Sequence, residues 1–347
     1  MKTTTSPFQK WTLPILALAF ALIFALLIPM GETNALATPQ EQQFTLVVLG
    51  DSVAWGASAP SGQGYAPLVA GDQNMTLINR AVGGWRTEHV INQLKTDAIT
   101  QEAIKAADAI QIAICGNDLQ QAGYIGPAID AVVRGDTSVW EQHCANIACR
   151  FAQIVDLVRE LNPHAPFFVF NSYSPDYKRF GNSIISVGGS EVIFGNDLYA
   201  IAQYYAIPYF NATYVAYLEQ NPGSFILVDV FDAFPENDSY YYGSGVDVIH
   251  PSAAGHEKLA CRLNVAIDAY NAEHKQAEPT AKVEKLNGSK NLLTIAVTET
   301  FPLKAPTTVE ISVLIDNNAA GYYDLGEYKV YVDTKGNTQI RDCHIVH

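Results

Sequence analysis

Four short polar segments of this chain carry the residue types that acyl-transfer chemistry needs. Gly50-Asp51-Ser52 closes an apolar run, Asn79 precedes Gly83-Gly84, Gly116-Asn117-Asp118 follows a second apolar run, and Asp247-Val248-Ile249-His250 lies far downstream. A serine hydroxyl is a poor nucleophile until a nearby base takes its proton, so Ser52 needs a histidine. Among the eight histidines, His250 is the best candidate, because a carboxylate three residues earlier can reach the imidazole Nδ1–H. Asp247 at that spacing would fix the tautomer and stabilise the imidazolium. The candidate donors to a developing oxyanion are the Ser52 backbone N–H, the Gly84 backbone N–H and the Asn117 side-chain amide. Taken singly, each segment has an ordinary structural use as a turn or a helix cap. Taken together they supply a nucleophile, a base, an orienting carboxylate and oxyanion donors, which hydrolyse an ester without metal or cofactor.

Residues this far apart meet only if the fold brings them to one rim. Residues 44–50 (FTLVVLG) form an apolar run that suits a strand buried on both faces. Similar runs at 75–78, 108–114 and 166–170, and a further one at 225–231, alternate with helix-like stretches at 86–106, 137–161, 189–205 and 252–273. This alternation predicts a parallel sheet with helices on both faces, whose ligands bind outside the carboxyl ends of the strands. Near residue 275 the period changes to two. A polar link bracketed by 277–279 and 287–289 leads to strands at 292–300 and 308–315 and a hairpin over 328–340. The domain reading is therefore a catalytic unit over 38–275 and a small β-rich unit over 280–347.

The N-terminus has the order of an export signal. Lys2 and Lys10 precede an apolar run from Trp11 to Met30, and the small-residue site Ala35-Leu36-Ala37 follows. Residues 1–37 are read as a signal peptide; the length of the run also allows an uncleaved membrane anchor. Either way the catalytic part faces outward, secreted or surface-anchored. The formal charge of −14 argues against nucleic-acid binding and against adhesion to anionic lipid.

The five cysteines form no C-x-x-C pair, which argues against a zinc site. Cys115, at the end of a buried run, is the expected free thiol. Cys144, Cys149, Cys261 and Cys343 then permit three disulfide pairings, of which 144–149 is disfavoured because the two are about 140° apart around one helix.

GDSVAWG at 50–56, NRAVGGWRT at 79–87, CGND at 115–118 and DVIHP at 247–251 together resemble the sequence blocks of the SGNH (GDSL-type) hydrolase family, over about residues 44–270. The resemblance implies a three-layer α/β/α sandwich with a flavodoxin-like sheet. It implies Ser52 as nucleophile, Asp247 and His250 as its partners, and Gly84 and Asn117 as oxyanion donors. Cys115 departs from the pattern, standing where the family usually has the first glycine of G-x-N-D.

The leading expectation is a secreted serine esterase working through an acyl-enzyme. The absence of a long apolar lid-like segment favours short acyl groups, such as acetyl on polysaccharide. The alternatives are acyl transfer to a glycan hydroxyl, lipase-type hydrolysis, and a non-enzymatic surface binder. The C-terminal unit is either a packing module or a cell-wall or glycan contact. His256 and His143 are read as structural. Trp55, Trp85 and Tyr124 are read as core or rim residues, and 239–245 (SYYYGSG) as part of the cleft wall.

Overall fold

In the computed structural model the described residues are 43–120, 125–187, 191–234, 239–285, 290–316, 320–324, 328–333, 335 and 337–342. The expected export segment 1–37, Tyr124 and Cys343 lie outside them. Among the described residues, no helix is long and apolar enough to cross a membrane.

Strand β1 (Phe44–Gly50) is followed by α1 (Ser52–Trp55), α2 (Tyr65–Asp72), β2 (Met75–Asn79), α3 (Thr87–Thr96) and α4 (Ala98–Lys105). Then come β3 (Ala109–Ala113), α5 (Gly116–Gln120), α6 (Ile125–Arg134), α7 (Ser138–Leu161) and β4 (Phe167–Phe170). A hairpin of β5 (Ile184–Val187) and β6 (Glu191–Phe194) leads to α8 (Gly195–Ile201), α9 (Ile207–Gln220), β7 (Ile226–Val228) and α10 (Ala253–Glu273). The five strands β2-β1-β3-β4-β7 form one parallel sheet in that order, with Leu46 level with both Leu77 and Ala109.

Side chains alternate across a strand, so the apolar run of β1 feeds two cores. Val47 and Leu49 join one face with Ile110, Ile112 and Phe167, covered by Val90 and Leu94 of α3 and Ile147, Phe151 and Ile154 of α7. Leu46 and Val48 join the other face with Phe168 and Phe170, covered by Tyr65 and Val69 of α2 and Leu259, Leu263 and Ile267 of α10. This is the three-layer α/β/α sandwich with a flavodoxin-like strand order, and its switch point lies between β1 and β3.

Three elements differ from the sequence expectation. The stretch 86–106 is two helices, because Asp97 caps the second one by accepting the Ile99 N–H at 3.1 Å and also pairs with Arg80 at 2.6 Å. Within the stretch 189–205, Glu191–Phe194 is a strand, β6, and the chain turns helical only at Gly195. The polar link expected around 277–279 is itself strand, β8 (Gln276–Lys285). Its Pro279 is tolerated because β8 is the edge strand of its sheet.

With β9 (Lys290–Thr300) and β10 (Thr307–Asp316), β8 forms an antiparallel sheet. A second one consists of β11 (Gly321–Asp324), β12 (Tyr328–Val332) and β13 (Thr338–Asp342). Leu293, Ile295, Ile315, Val330 and Val332 make a small core there. One residue of this unit belongs elsewhere. Leu303, in the β9–β10 connection, is 1% exposed within the core under α10, and its N–H donates to Asn271 Oδ1 at 2.9 Å.

Cys115, Cys144, Cys149 and Cys261 are all free thiols. The helix explains part of this, since Cys144 turns into the core while Cys149 is exposed on the same helix α7. Cys261 sits on α10, across the sheet from α7. The three have no common place to meet, so no disulfide forms among the described residues.

Candidate active site

The sequence around Ser52 forces a sharp turn at the carboxyl end of β1. Gly50 has φ +134°, and a Cβ there would lie 2.0 Å from the Ala113 carbonyl oxygen, so only glycine lets β1 and β3 close up at this point. Asp51 donates its N–H to that same oxygen at 3.1 Å, and its carboxylate caps α1 by accepting the Val53 N–H at 2.9 Å. Ser52 is thereby presented as the first residue of α1, at the rim of the switch point.

His250 and Asp247 arrive at the same rim from the loop before α10. Ser52 Oγ lies 2.9 Å from His250 Nε2, and His250 Nδ1 lies 3.0 and 3.1 Å from the two Asp247 carboxylate oxygens. With its proton on Nδ1 aimed at the carboxylate, the imidazole presents the Nε2 lone pair to the serine hydroxyl. Burial pushes the Asp247 carboxyl up. The Ser58 hydroxyl, the His250 backbone N–H and the imidazole outweigh that and hold it below its usual value.

Two further contributors have no local signal in the sequence. Ser58 donates its hydroxyl to Asp247 Oδ2 from 189 positions away in the chain. Gly243 donates its N–H to the His250 carbonyl at 2.8 Å, and a Cβ on it would lie 2.6 Å from Asp247 Oδ2. The loop closes on its own carboxylate only because residue 243 is glycine.

The oxyanion candidates stand opposite. A Cβ on Gly83 would lie 3.8 Å from that of Ser52, and the next residue, Gly84, has φ +78°. Asn117 donates its side-chain amide to the Trp85 carbonyl at 2.8 Å, which ties it to the loop that carries Gly84. Behind them Asp118, 2% exposed, accepts the Thr87 N–H at 2.9 Å, the Thr87 hydroxyl at 2.7 Å and the Arg150 guanidinium at 3.2 Å. Arg150 also donates to the Thr87 hydroxyl at 2.8 Å, closing the network.

Residues 48–258 match the GDSL-like lipase/acylhydrolase family. The chain belongs to that family. A curated protein of Bacillus subtilis (strain 168), the uncharacterized protein YpmR, is 28% identical over 155 residues, which are 42% of this chain and 57% of that protein. The match thus spans little more than half the length of that relative. Among solved structures, the chain is similar to the lipase Lip_vut3 from a goat rumen metagenome (22% identity, TM-score 0.48, 65% of this chain and 97% of that one). It is also similar to phospholipase A1 from Streptomyces albidoflavus NA297 (19% identity, TM-score 0.47, 65% and 99%).

In this GDSL-like chain Cys115 stands at φ +85°, a left-handed conformation in which a side chain costs on the order of 1 kcal/mol. The thiol is fully buried, and burial together with the Asp118 charge pushes its pKa well above the usual range. It stays protonated near neutral pH, unlike a nucleophilic cysteine. His256 is also fully buried: Nδ1 accepts the Tyr65 N–H at 3.2 Å and Nε2 donates to the Ala57 carbonyl at 3.0 Å. Burial lowers its pKa, and both ring nitrogens serve the loop between α1 and α2. His143 reaches the Asp118 carbonyl at 3.1 Å from within α7. Trp85 stacks on His89 beside the core, whereas Trp55 is 65% exposed.

The wall of the site differs from the expected tyrosine stretch. A cavity of about 50 Å³ is lined by Ser52, Asn117, Val53, Ile114, Phe170, Tyr173, Val230 and Ile249, at the carboxyl ends of β1, β3 and β4. Tyr241 and Tyr242 support it from outside, Tyr242 donating its hydroxyl to the Ser174 carbonyl at 2.7 Å. Asp51 also borders the cavity. Burial, reinforced by the Asp118 charge, raises its carboxyl to about 7.

Proposed function

We propose that this family member is an exported serine esterase that cleaves short-chain esters through an acyl-enzyme on Ser52. The observation that carries the reading is the unbroken relay Ser52–His250–Asp247, at 2.9 and 3.0 Å, opening on a cavity of about 50 Å³. A cavity that small beside the nucleophile suits a compact acyl group better than a long alkyl chain.

The proposed steps are those of serine acyl transfer. Ser52 Oγ attacks the ester carbonyl carbon while His250 Nε2 takes its proton, and Asp247 stabilises the imidazolium. The Ser52 and Gly84 N–H groups and the Asn117 amide receive the oxyanion. Collapse expels the alcohol, which leaves with the proton from Nε2. Water then repeats the sequence on the acyl-enzyme and frees the acid. Export is part of the same proposal and rests on Lys2, Lys10, the apolar run and Ala35-Leu36-Ala37. Acetyl esters of polysaccharide are the substrate class that an exported enzyme with so small an acyl cavity fits best.

Purified protein and a Ser52→Ala variant are to be assayed on p-nitrophenyl acetate, butyrate and a long-chain ester. The expected result is turnover that falls steeply beyond acetate and drops by about 10⁶-fold in the variant. Equal release by both proteins would remove the serine mechanism, and a maximum at long chains would remove the short-acyl reading.

A further inference from the structure

The loop that carries Asp247 and His250 is anchored at its flanks by Tyr241, Tyr242 and the buried Val248, but the stretch Ser244–Val246 between them is exposed. That stretch follows Gly243 and holds Ser244 and Gly245, Val246 stands 85% exposed, and the nearest helical turn before it is Ser239–Tyr241. Carbonyl oxygens of the loop converge instead on one side chain from the segment after β4. Arg179 donates through Nη1 to the carbonyls of Gly243, Gly245 and Asp247, the last two at 3.2 Å. Through Nη2 it donates to the Ser239 carbonyl at 3.1 Å. Asp176, 4% exposed, grips the guanidinium from behind, with Oδ2 3.1 Å from both Nε and Nη2. The same carboxylate accepts the Ser239 hydroxyl at 2.7 Å, and the Asp176 N–H donates to the Val248 carbonyl at 2.8 Å.

We propose that Arg179 is the positioning residue of the acid–base half of the site, fixing the backbone of this loop so that the Asp247 carboxylate meets His250 Nδ1. The proposal rests on the serine reading above. A guanidinium suits the task because its planar fan of five N–H donors spans several carbonyls and a carboxylate at once. An ammonium offers three donors from a single point. The Asp247 carbonyl is itself one of the acceptors, so the triad acid is tied to the guanidinium through its own peptide unit. Without Arg179 those carbonyls lose their donor and the buried Asp176 loses its counter-charge, so the loop must re-form elsewhere. Arg179 does not border the acyl cavity. Ile249 of the same loop does line it, so loss of Arg179 acts mainly on the chemical step, with a smaller effect on acyl binding.

The test compares Arg179→Lys and Arg179→Ala with wild type and Ser52→Ala in the full-length protein, for kcat, KM and thermal midpoint on p-nitrophenyl acetate. A displacement of the loop by about 1 Å predicts a fall in kcat of about 100-fold with KM changed less than about twofold. Millimolar guanidinium ion added to Arg179→Ala is expected to restore part of kcat, which a general loss of folding would not allow. Should Arg179→Ala fail to fold, Arg179→Lys and Arg179→Gln carry the comparison. An inactive Ser52→Ala beside Arg179 variants with wild-type kcat would overturn the proposal and leave the serine reading standing. So would a loss of activity that only tracks the unfolded fraction and resists guanidinium. Turnover by Ser52→Ala equal to wild type would overturn both.

Discussion

On the oxyanion side, Asp118 and Arg150 hold the start of α3 against α5, whereas on the acid–base side Asp176 and Arg179 hold a loop between β7 and α10 whose described residues are mostly without regular structure. Both halves use an arginine–aspartate pair, at 3.2 and 3.1 Å. The difference lies in which partner faces the backbone. A helix start leaves N–H groups without intrahelical acceptors, so the carboxylate of Asp118 takes the Thr87 N–H and hydroxyl. An irregular loop folded on itself leaves carbonyls pointing inward, so there the guanidinium does most of the gripping. The polarity of the exposed backbone decides which member of the pair does the holding.

That comparison can be broken at its strongest point first. Replacing Asp247 with Asn keeps the shape of the acid–base side while removing the charge that holds the imidazole tautomer. About a 10⁴-fold fall in kcat for p-nitrophenyl acetate is expected. A loss below about tenfold would mean that the carboxylate is structural. On the other side, Asn117→Ala removes one oxyanion donor and should cost about 10²–10³-fold in kcat with KM nearly unchanged. A rise in KM at constant kcat would instead make Asn117 a ground-state contact.

The smallest effect concerns Asp51, which lies between the two halves and senses Asp118. Its folded carboxyl titrates at about 7, against an unfolded value of about 3.9. Between those values the folded protein keeps a proton that the unfolded chain has released, so this group's contribution to stability falls as pH rises from about 4 to 7. Asparagine caps a helix as well as aspartate does. The thermal midpoint of Asp51→Asn relative to wild type should therefore climb across that interval, as followed by calorimetry. Parallel midpoints at all pH values would refute the assignment.

Much of the sheet is legible in the sequence because the buried strands β1, β3 and β4 are short apolar runs, and a parallel sheet leaves such runs little room for another conformation. The approach of Ser52, His250 and Asp247 follows from placing Ser52 at a strand end and pairing the histidine with a carboxylate three residues away. Partners that act over long chain separations left no such trace. Ser58 reaches Asp247, and Arg179 reaches carbonyls more than sixty positions on; nothing in the local spacing around either residue announces it. Strand β8, with its charged and exposed residues and its proline, lacks the pattern of a buried strand because it lies on an edge. The β5–β6 hairpin is hidden by the helical stretch that follows it without a break. Cys115 shows the reverse, a visible oddity whose cost the fold absorbs by burying the thiol next to Tyr214.

Leu303 has a consequence for how the molecule comes into being. A nascent chain is made from its N-terminus, and every strand and helix of the sandwich has emerged once α10 is complete. The layer under α10 nevertheless lacks one of its fully buried side chains until the β9–β10 connection follows and Leu303 drops into place. Biogenesis of the catalytic half therefore ends with a stitch from the other half. A chain truncated just after α10 would be left with an apolar socket open to water.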